Sequence, residues 1–112
     1  MLNNRDLFDW MIVQYHKALG QIEPDGALPL EIKRGSRALH YHVFSSQALV
    51  LIAELGRRNG LDLYGVKGGV LKKLIERTTK GLSDPRFFTE KTGEVQTWVG
   101  RLNGSKLAWM EP

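Results

Sequence analysis

A cationic, imidazole-rich stretch of ten residues holds the side chains of this chain that are best suited to chemistry. It runs Lys33-Arg34-Gly35-Ser36-Arg37-Ala38-Leu39-His40-Tyr41-His42 and leads into an apolar segment. Arg34, Arg37 and Tyr41 are spaced so that a helix through them would place all three on one face. A phenol flanked by guanidinium groups is suited to abstracting a proton next to a carboxylate, because the cations stabilise the charge that develops there. The spacing therefore makes this stretch the main candidate for a proton-transfer site; the alternative is that Tyr41 is a tyrosine at a helix end with a solvated hydroxyl.

Size and composition are those of one globular domain with a mild preference for acidic partners. The 112 residues carry a formal net charge of +4, from 16 basic and 12 acidic side chains. This excess favours an anionic partner: a polyanionic sugar, a nucleic acid or a membrane surface. The chain has no cysteine, and its histidines have no carboxylate at metal-ligand spacing, so we expect no metal and no other cofactor. No apolar run approaches the length of a membrane span, and the first residues lack the pattern of a signal peptide.

Hydrophobic periodicity predicts an all-α fold of about four helices joined by loops. The first helix, capped by Asn3 or Asn4, runs to about Leu19. Its apolar face consists of Leu7, Phe8, Met11, Ile12, Tyr15 and Leu19. The second runs from about Arg37 to Arg58 with Ser36 as its N-cap, and it is apolar on nearly every side. A helix of that kind needs neighbours all round, which is typical of a piece of a larger bundle.

Two shorter helices are predicted in the second half of the chain. An amphipathic helix runs from Val70 to Lys80 and ends at Gly81, and a short fourth helix is predicted around Val95 to Leu102. Another short helix or turn opens at Ser83-Asp84-Pro85. The third helix turns Leu71, Leu74, Ile75 and Thr78 inward. Its basic face, which is a solvated surface or a guide for a polyanion, consists of Lys72, Lys73, Arg77 and Lys80.

Two motifs carry a family resemblance. Leu28-Pro29-Leu30-Glu31-Ile32-Lys33-Arg34, followed by Arg37-Ala38-Leu39-His40-Tyr41-His42, resembles the signature of alginate lyases of polysaccharide lyase family five. The similarity extends to Arg5-Asp6-Leu7-Phe8-Asp9-Trp10, Asn59-Gly60-Leu61-Asp62-Leu63, Glu90-Lys91-Thr92-Gly93 and Ala108-Trp109-Met110-Glu111-Pro112. The resemblance implies a periplasmic enzyme with an incomplete (α/α) toroid fold that cleaves mannuronate-rich alginate by β-elimination. Family chains are much longer, so residues 1–112 would form a single partial domain, a C-terminal-half fragment of that toroid.

The resemblance also assigns site residues. It makes Tyr41 the tyrosine that carries the proton, and Arg34 the active-site arginine seven residues before it. The family pattern includes an Asn-Asn-His motif that would lie upstream of Met1, and Asn3-Asn4 is not that motif. We therefore expect the chain alone to be weakly active or inactive. The sequence departs from the family pattern where Val43 replaces Asn and Gln47 replaces Pro.

Three further side chains of the same stretch are candidate substrate ligands: Arg37, His40 and Lys33. For Arg37 two alternatives stay equal: it binds a sugar carboxylate at a neighbouring subsite, or it forms a salt bridge with Glu31 or Asp9. His42 belongs to the family pattern, yet its helical angle points away from Tyr41, which favours a buried structural role.

The expected partner is an acidic polysaccharide, alginate or a related poly-uronate. We expect no nucleic acid, because the chain has no recognition helix with base-reading residues, and no membrane. Exposed apolar helix faces would allow self-association. Trp98 and Trp109 fill a core or, less commonly, stack on sugar rings. The alternative function is a non-catalytic helical module that binds acidic polysaccharide through Arg34, Arg37 and the basic face of the third helix.

Overall fold

The computed structural model describes residues 4–97 and the backbone of residues 101–102 and 106–107. The described part consists of helices with one short hairpin, and the predicted all-α class is confirmed. The helices are α1 (Asn4–Leu19), α2 (Pro29–Ile32), α3 (Ala38–Arg58), α4 (Val66–Ser83) and α5 (Arg86–Thr92). A 3₁₀ turn at Gly35–Arg37, called here the Gly35 turn, joins α2 to α3. Two antiparallel strands, β1 (Arg101–Leu102) and β2 (Lys106–Leu107), form the hairpin. Across the described residues, no helix has the length and apolar content needed to span a membrane.

The larger core lies where α1, α3 and α4 meet. It contains Tyr15 and Leu19 from α1, Leu49 from α3, and Leu71 and Leu74 from α4. The predicted inward face of α4 is confirmed, since these two leucines are buried with Thr78. The Tyr15 hydroxyl donates a hydrogen bond to the backbone carbonyl of Leu63 at 2.6 Å, which ties α1 to the loop before α4.

A smaller core lies under the first turns of α3. Ala38, Leu39 and Val43 pack there against Phe88 of α5, and all four residues are buried. Gly81 makes this packing feasible. A Cβ atom at this position would approach Phe88 Cε2 to 2.6 Å and Leu39 Cδ1 to 2.8 Å. The smaller core therefore supports the N-terminal end of α3, where the cationic stretch leads into the helix.

The predicted start of the second helix is wrong in detail. Ser36 lies inside the Gly35 turn, and Arg37 occupies the N-cap position of α3 without a side-chain cap hydrogen bond. The sequence analysis did not predict α2. Leu28 is extended before it, and Pro29 occupies the first helical position, where a missing N–H costs nothing.

Other predicted boundaries also need correction. Gly81 does not end the third helix, which continues to Ser83. The glycine lies inside the helix, where the missing side chain leaves room for Phe88. The predicted helix around Val95 to Leu102 is absent from residues 95–97, which are irregular, and Leu102 lies in β1. Leu7 was placed on the apolar face of the first helix, but 46% of its surface is exposed.

Candidate active site

Arg34 and Tyr41 meet because the chain folds back between them. After α2 the backbone passes through Gly35 at a φ of 61°, a left-handed conformation that favours glycine. The Gly35 turn then leads directly into α3. As a result the guanidinium carbon of Arg34 lies 4.3 Å from the centre of the Tyr41 ring. The predicted proximity is confirmed, but a turn produces it rather than one continuous helix.

The Arg34 side chain is held from two sides. Its Nε donates to Glu31 Oε1 at 3.2 Å, one helical turn earlier. Its planar cation covers the face of the Tyr41 ring, where the ring quadrupole attracts it. The ring itself is half-buried, and no residue in the described part of the chain hydrogen-bonds the Tyr41 hydroxyl.

His40 lies behind the tyrosine rather than beside it on the surface. It is 8% exposed, and its ring contacts Tyr41 and Phe44 with centroid distances of 5.3 and 4.5 Å. Burial, and secondarily the charge of Arg37, lower the pKa of His40 below its ordinary value. The structure thus places a neutral imidazole under the tyrosine, and the role of His40 as a substrate ligand stays a prediction.

Lys33, which precedes the Gly35 turn, and Arg37, which is its last residue, are exposed cations. Within residues 4–97 Arg37 forms no ion pair, and Glu31 pairs with Arg34 instead. The salt-bridge alternative for Arg37 is therefore not found in this part of the chain. Both side chains are accessible to an anion, and their role as substrate ligands stays a prediction.

His42 joins two segments of the site. Its ring is fully buried, and Nε2 accepts the backbone N–H of Leu28 at 2.9 Å while Nδ1 donates to the carbonyl of Ala38 at 2.7 Å. Burial lowers the pKa of His42, which keeps the ring in the neutral form that this pair of bonds requires. The predicted structural role of His42 is confirmed.

Sequence reasoning missed two residues next to this site. Phe44 belongs to the second helix, which was predicted to be apolar on nearly every side; it is 49% exposed and lies one turn beyond Tyr41. Gln96 returns from beyond α5, and its side-chain oxygen accepts the backbone N–H of Leu39 at 2.9 Å. The spacing of Phe44 and Tyr41 was a usable signal. No local pattern in the sequence predicts the Gln96 contact, because it joins residues 57 positions apart.

The predicted basic face of the third helix is only partly a surface. Lys72, Lys73 and Lys80 are exposed, but the Arg77 guanidinium lies 3.8 Å from the centre of the Phe87 ring. Arg77 also donates to the carbonyl of Asp25 at 2.8 Å. It therefore packs as part of the fold. Trp98 and Trp109, the predicted core or stacking residues, lie outside the described residues.

Comparison with known proteins gives a consistent result over nearly the whole chain. The family model described as alginate lyase matches residues 1–88. Over 110 residues, 98% of this chain, the sequence is 42% identical to an alginate lyase of Pseudomonas syringae pv. syringae and to one of Cobetia marina. It is 43% identical over the same length to an alginate lyase of Pseudomonas aeruginosa. The matches cover 29% to 30% of those proteins, so the chain spans about three tenths of the length of the curated relatives that it matches.

Proposed function

Because this chain belongs to the alginate lyase family, we propose that it supplies the tyrosine and arginine of a site that cleaves alginate, or a related poly-uronate, by β-elimination. The observation that carries the proposal is the Arg34 guanidinium lying over the Tyr41 ring. Family membership favours a lyase segment over a non-catalytic polysaccharide-binding module.

The reaction transfers one proton within the substrate. The Tyr41 phenolate accepts the proton from C5 of a uronate, and the electron pair of that C–H bond forms the C4=C5 double bond. The C4–O4 bond breaks, and the departing oxygen takes the proton from the Tyr41 hydroxyl, which restores the phenolate. One tyrosine is enough when the proton and the leaving oxygen are on the same side of the ring.

Cations around the tyrosine stabilise the charged states of this reaction. Arg34 places a positive charge against the ring, close to the charge that develops during proton transfer. The exposed Arg37 and Lys33 bind the uronate carboxylate, whose charge grows as C5 loses its proton. His40 supports the tyrosine from behind as a neutral ring. The periplasmic location stays a prediction that rests on the family resemblance.

A chimeric enzyme tests the proposal. The matched stretch of the Pseudomonas aeruginosa relative is replaced by that of this chain, and the unsaturated product is followed by ultraviolet absorbance during incubation with poly-mannuronate. We expect turnover in the chimera, and a loss of about a hundredfold or more on Tyr41→Phe, because general acid–base catalysis contributes at least that much. Tyr64→Phe is the matched control, since its hydroxyl bonds Glu54 away from the site, and it should keep full activity. Turnover that survives Tyr41→Phe would contradict the proposal.

A further inference from the structure

We propose that Gln96 is a positioning residue that fixes the Arg34 guanidinium over the Tyr41 ring by bridging the two ends of the Gly35 turn. The inference rests on the proposed function, since it concerns the geometry of that same pair. Gln96 itself touches neither Arg34 nor Tyr41 through any of its hydrogen bonds. It acts through the backbone that connects them.

The first requirement comes from α3, which provides no cap of its own. The first four N–H groups of any α-helix lack partners within the helix. Arg37 occupies the N-cap position and its side chain makes no cap bond. Gln96 Oε1 accepts the N–H of Leu39, the second residue of α3, at 2.9 Å. The helix that carries Tyr41 therefore takes its N-cap from a residue far along the chain.

The other end of the same amide binds the start of the turn. Gln96 Nε2 donates to the carbonyl of Gly35 at 3.1 Å, and it also lies 3.2 Å from Thr92 Oγ1 and 3.0 Å from the carbonyl of Glu94. These last two contacts fix the amide in one orientation. Beside it the Thr97 N–H donates to the carbonyl of Ser36 at 2.6 Å. One planar group thus spans the turn from Gly35 to Leu39.

The span matters because the Arg34 side chain itself makes few contacts, although His42 also ties the segment before α2 to α3. Its ion pair with Glu31 is half exposed, with 54% of the arginine side chain accessible, and such pairs contribute little order. The attraction between a cation and a ring needs the cation within about 6 Å of the ring centre. A small opening of the Gly35 turn would exceed that distance. The Gln96 amide prevents this opening.

The test compares Gln96→Leu with Gln96→Glu, and uses Gln21→Leu as a control at an exposed position on the loop after α1. Leucine removes both functions of the amide, whereas glutamate keeps an acceptor for Leu39 and loses the donor to Gly35. Two readouts are taken by NMR on the 112-residue chain: the exchange rate of the Leu39 amide, and the chemical shift that the Tyr41 ring current imposes on the Arg34 Hε proton. Neither readout depends on turnover, so they remain valid if the proposed lyase function fails.

In Gln96→Leu we expect Leu39 exchange to rise by about fivefold or more, the factor typical for loss of an N-cap, and the Arg34 ring-current shift to collapse. Gln96→Glu should keep Leu39 protected and still lose much of the Arg34 shift. Gln21→Leu should change neither signal. If Gln96→Leu does not fold, the glutamate variant decides the question. An unchanged Arg34 shift in a folded Gln96 variant that lacks the donor to Gly35 would overturn the proposal.

Discussion

The backbone N–H of Leu28 donates to Nε2 of His42 at 2.9 Å, so the loop before α2 is fastened to the second turn of α3. The same imidazole donates from Nδ1 to the carbonyl of Ala38. This single side chain therefore joins the segment that bears Arg34 to the helix that bears Tyr41. Only the neutral imidazole can make both bonds, because a protonated Nε2 would be a donor facing the Leu28 N–H, which is also a donor.

Acidification should therefore destabilise the fold. Burial lowers the pKa of His42 from its ordinary 6.5 against the opposing charges of Glu31 and Asp25, and burial lowers that of His40 as well. The unfolded chain thus binds protons more readily, so stability is complete above pH 6.5 and falls as the pH drops below it. Losing the Leu28 bond should cost about 1–3 kcal/mol.

The check is urea unfolding at several pH values on both sides of that pKa. His42→Gln should be less stable than the wild type near neutral pH and show a flatter pH profile. His16→Gln, at an exposed position on α1, should follow the wild-type profile. A wild-type profile that stays flat through the acid range would refute the assigned role of His42.

Substitutions of Arg34 should distinguish the effect of its positive charge on activity from the effect of its planar guanidinium group. In the chimeric enzyme, Arg34→Ala should lower kcat by about a hundred- to a thousandfold, the range for removal of one electrostatic stabiliser. Arg34→Lys should recover only part of this loss, because an ammonium lacks the planar fork that stacks on the ring and pairs with Glu31. Steady-state kinetics on poly-mannuronate measures both effects. Arg58→Ala, at an exposed position at the end of α3, is the control, and equal rates for Arg34→Ala and Arg58→Ala would contradict the assignment.

Gly81→Ala should destabilise the chain although alanine is the better helix former. The new methyl group would lie 2.6 Å from Phe88 Cε2 and 2.8 Å from Leu39 Cδ1. Overpacking of this kind costs about 1–3 kcal/mol, which exceeds the gain of about 1 kcal/mol in helix propensity. Thermal unfolding measures the difference. Gly20→Ala, whose nearest neighbour would be at 3.4 Å, should be close to neutral, and a stabilised Gly81→Ala variant would disprove the close packing.

Tyr15→Phe should weaken the larger core and change its response to alkali. Burial raises the pKa of Tyr15 to about 12, from an ordinary 10.0. The contribution of this group is fully present below pH 10 and is lost as the pH rises toward 12. Removing the hydroxyl leaves the Leu63 carbonyl without this donor and should cost about 1–3 kcal/mol. Denaturant melts at neutral and alkaline pH should show a lower starting stability and a smaller alkaline loss in the variant, and identical curves would contradict this account.

The sequence predicted the parts of the site that depend on short-range spacing. Arg34 and Tyr41 are seven positions apart, and their residue types and spacing predicted a shared site. Their actual path did not follow from spacing, because the left-handed Gly35 replaces a helical turn with a 3₁₀ turn. The misassigned Ser36 cap has the same origin as the missed Gln96 bond. A local capping residue can be read from the sequence, whereas an amide that arrives from a distant segment cannot.

Gly81 was misread for a related reason. A glycine after an amphipathic run is normally a helix end, yet here it makes room for an aromatic ring from the next helix. Which aromatic ring packs against the glycine is determined by the folded structure and could not be predicted from the local sequence. The inward face of α4 was predicted correctly because periodicity alone determines which side of a helix is apolar.

The Gln96 bridge also sets an order of events during synthesis. Arg34 and Tyr41 are close in sequence and are able to meet as soon as α3 forms, but the amide that holds their turn emerges from the ribosome more than fifty residues later. Contacts with so large a separation in sequence are slow to form, because the entropy of closing the intervening loop must first be overcome. A nascent chain that carries α1 to α4 would therefore have its larger core in place, but the smaller core under the start of α3 and the geometry around Arg34 would be incomplete. The geometry around Arg34 is complete only after α5 and the segment that follows it have been synthesised.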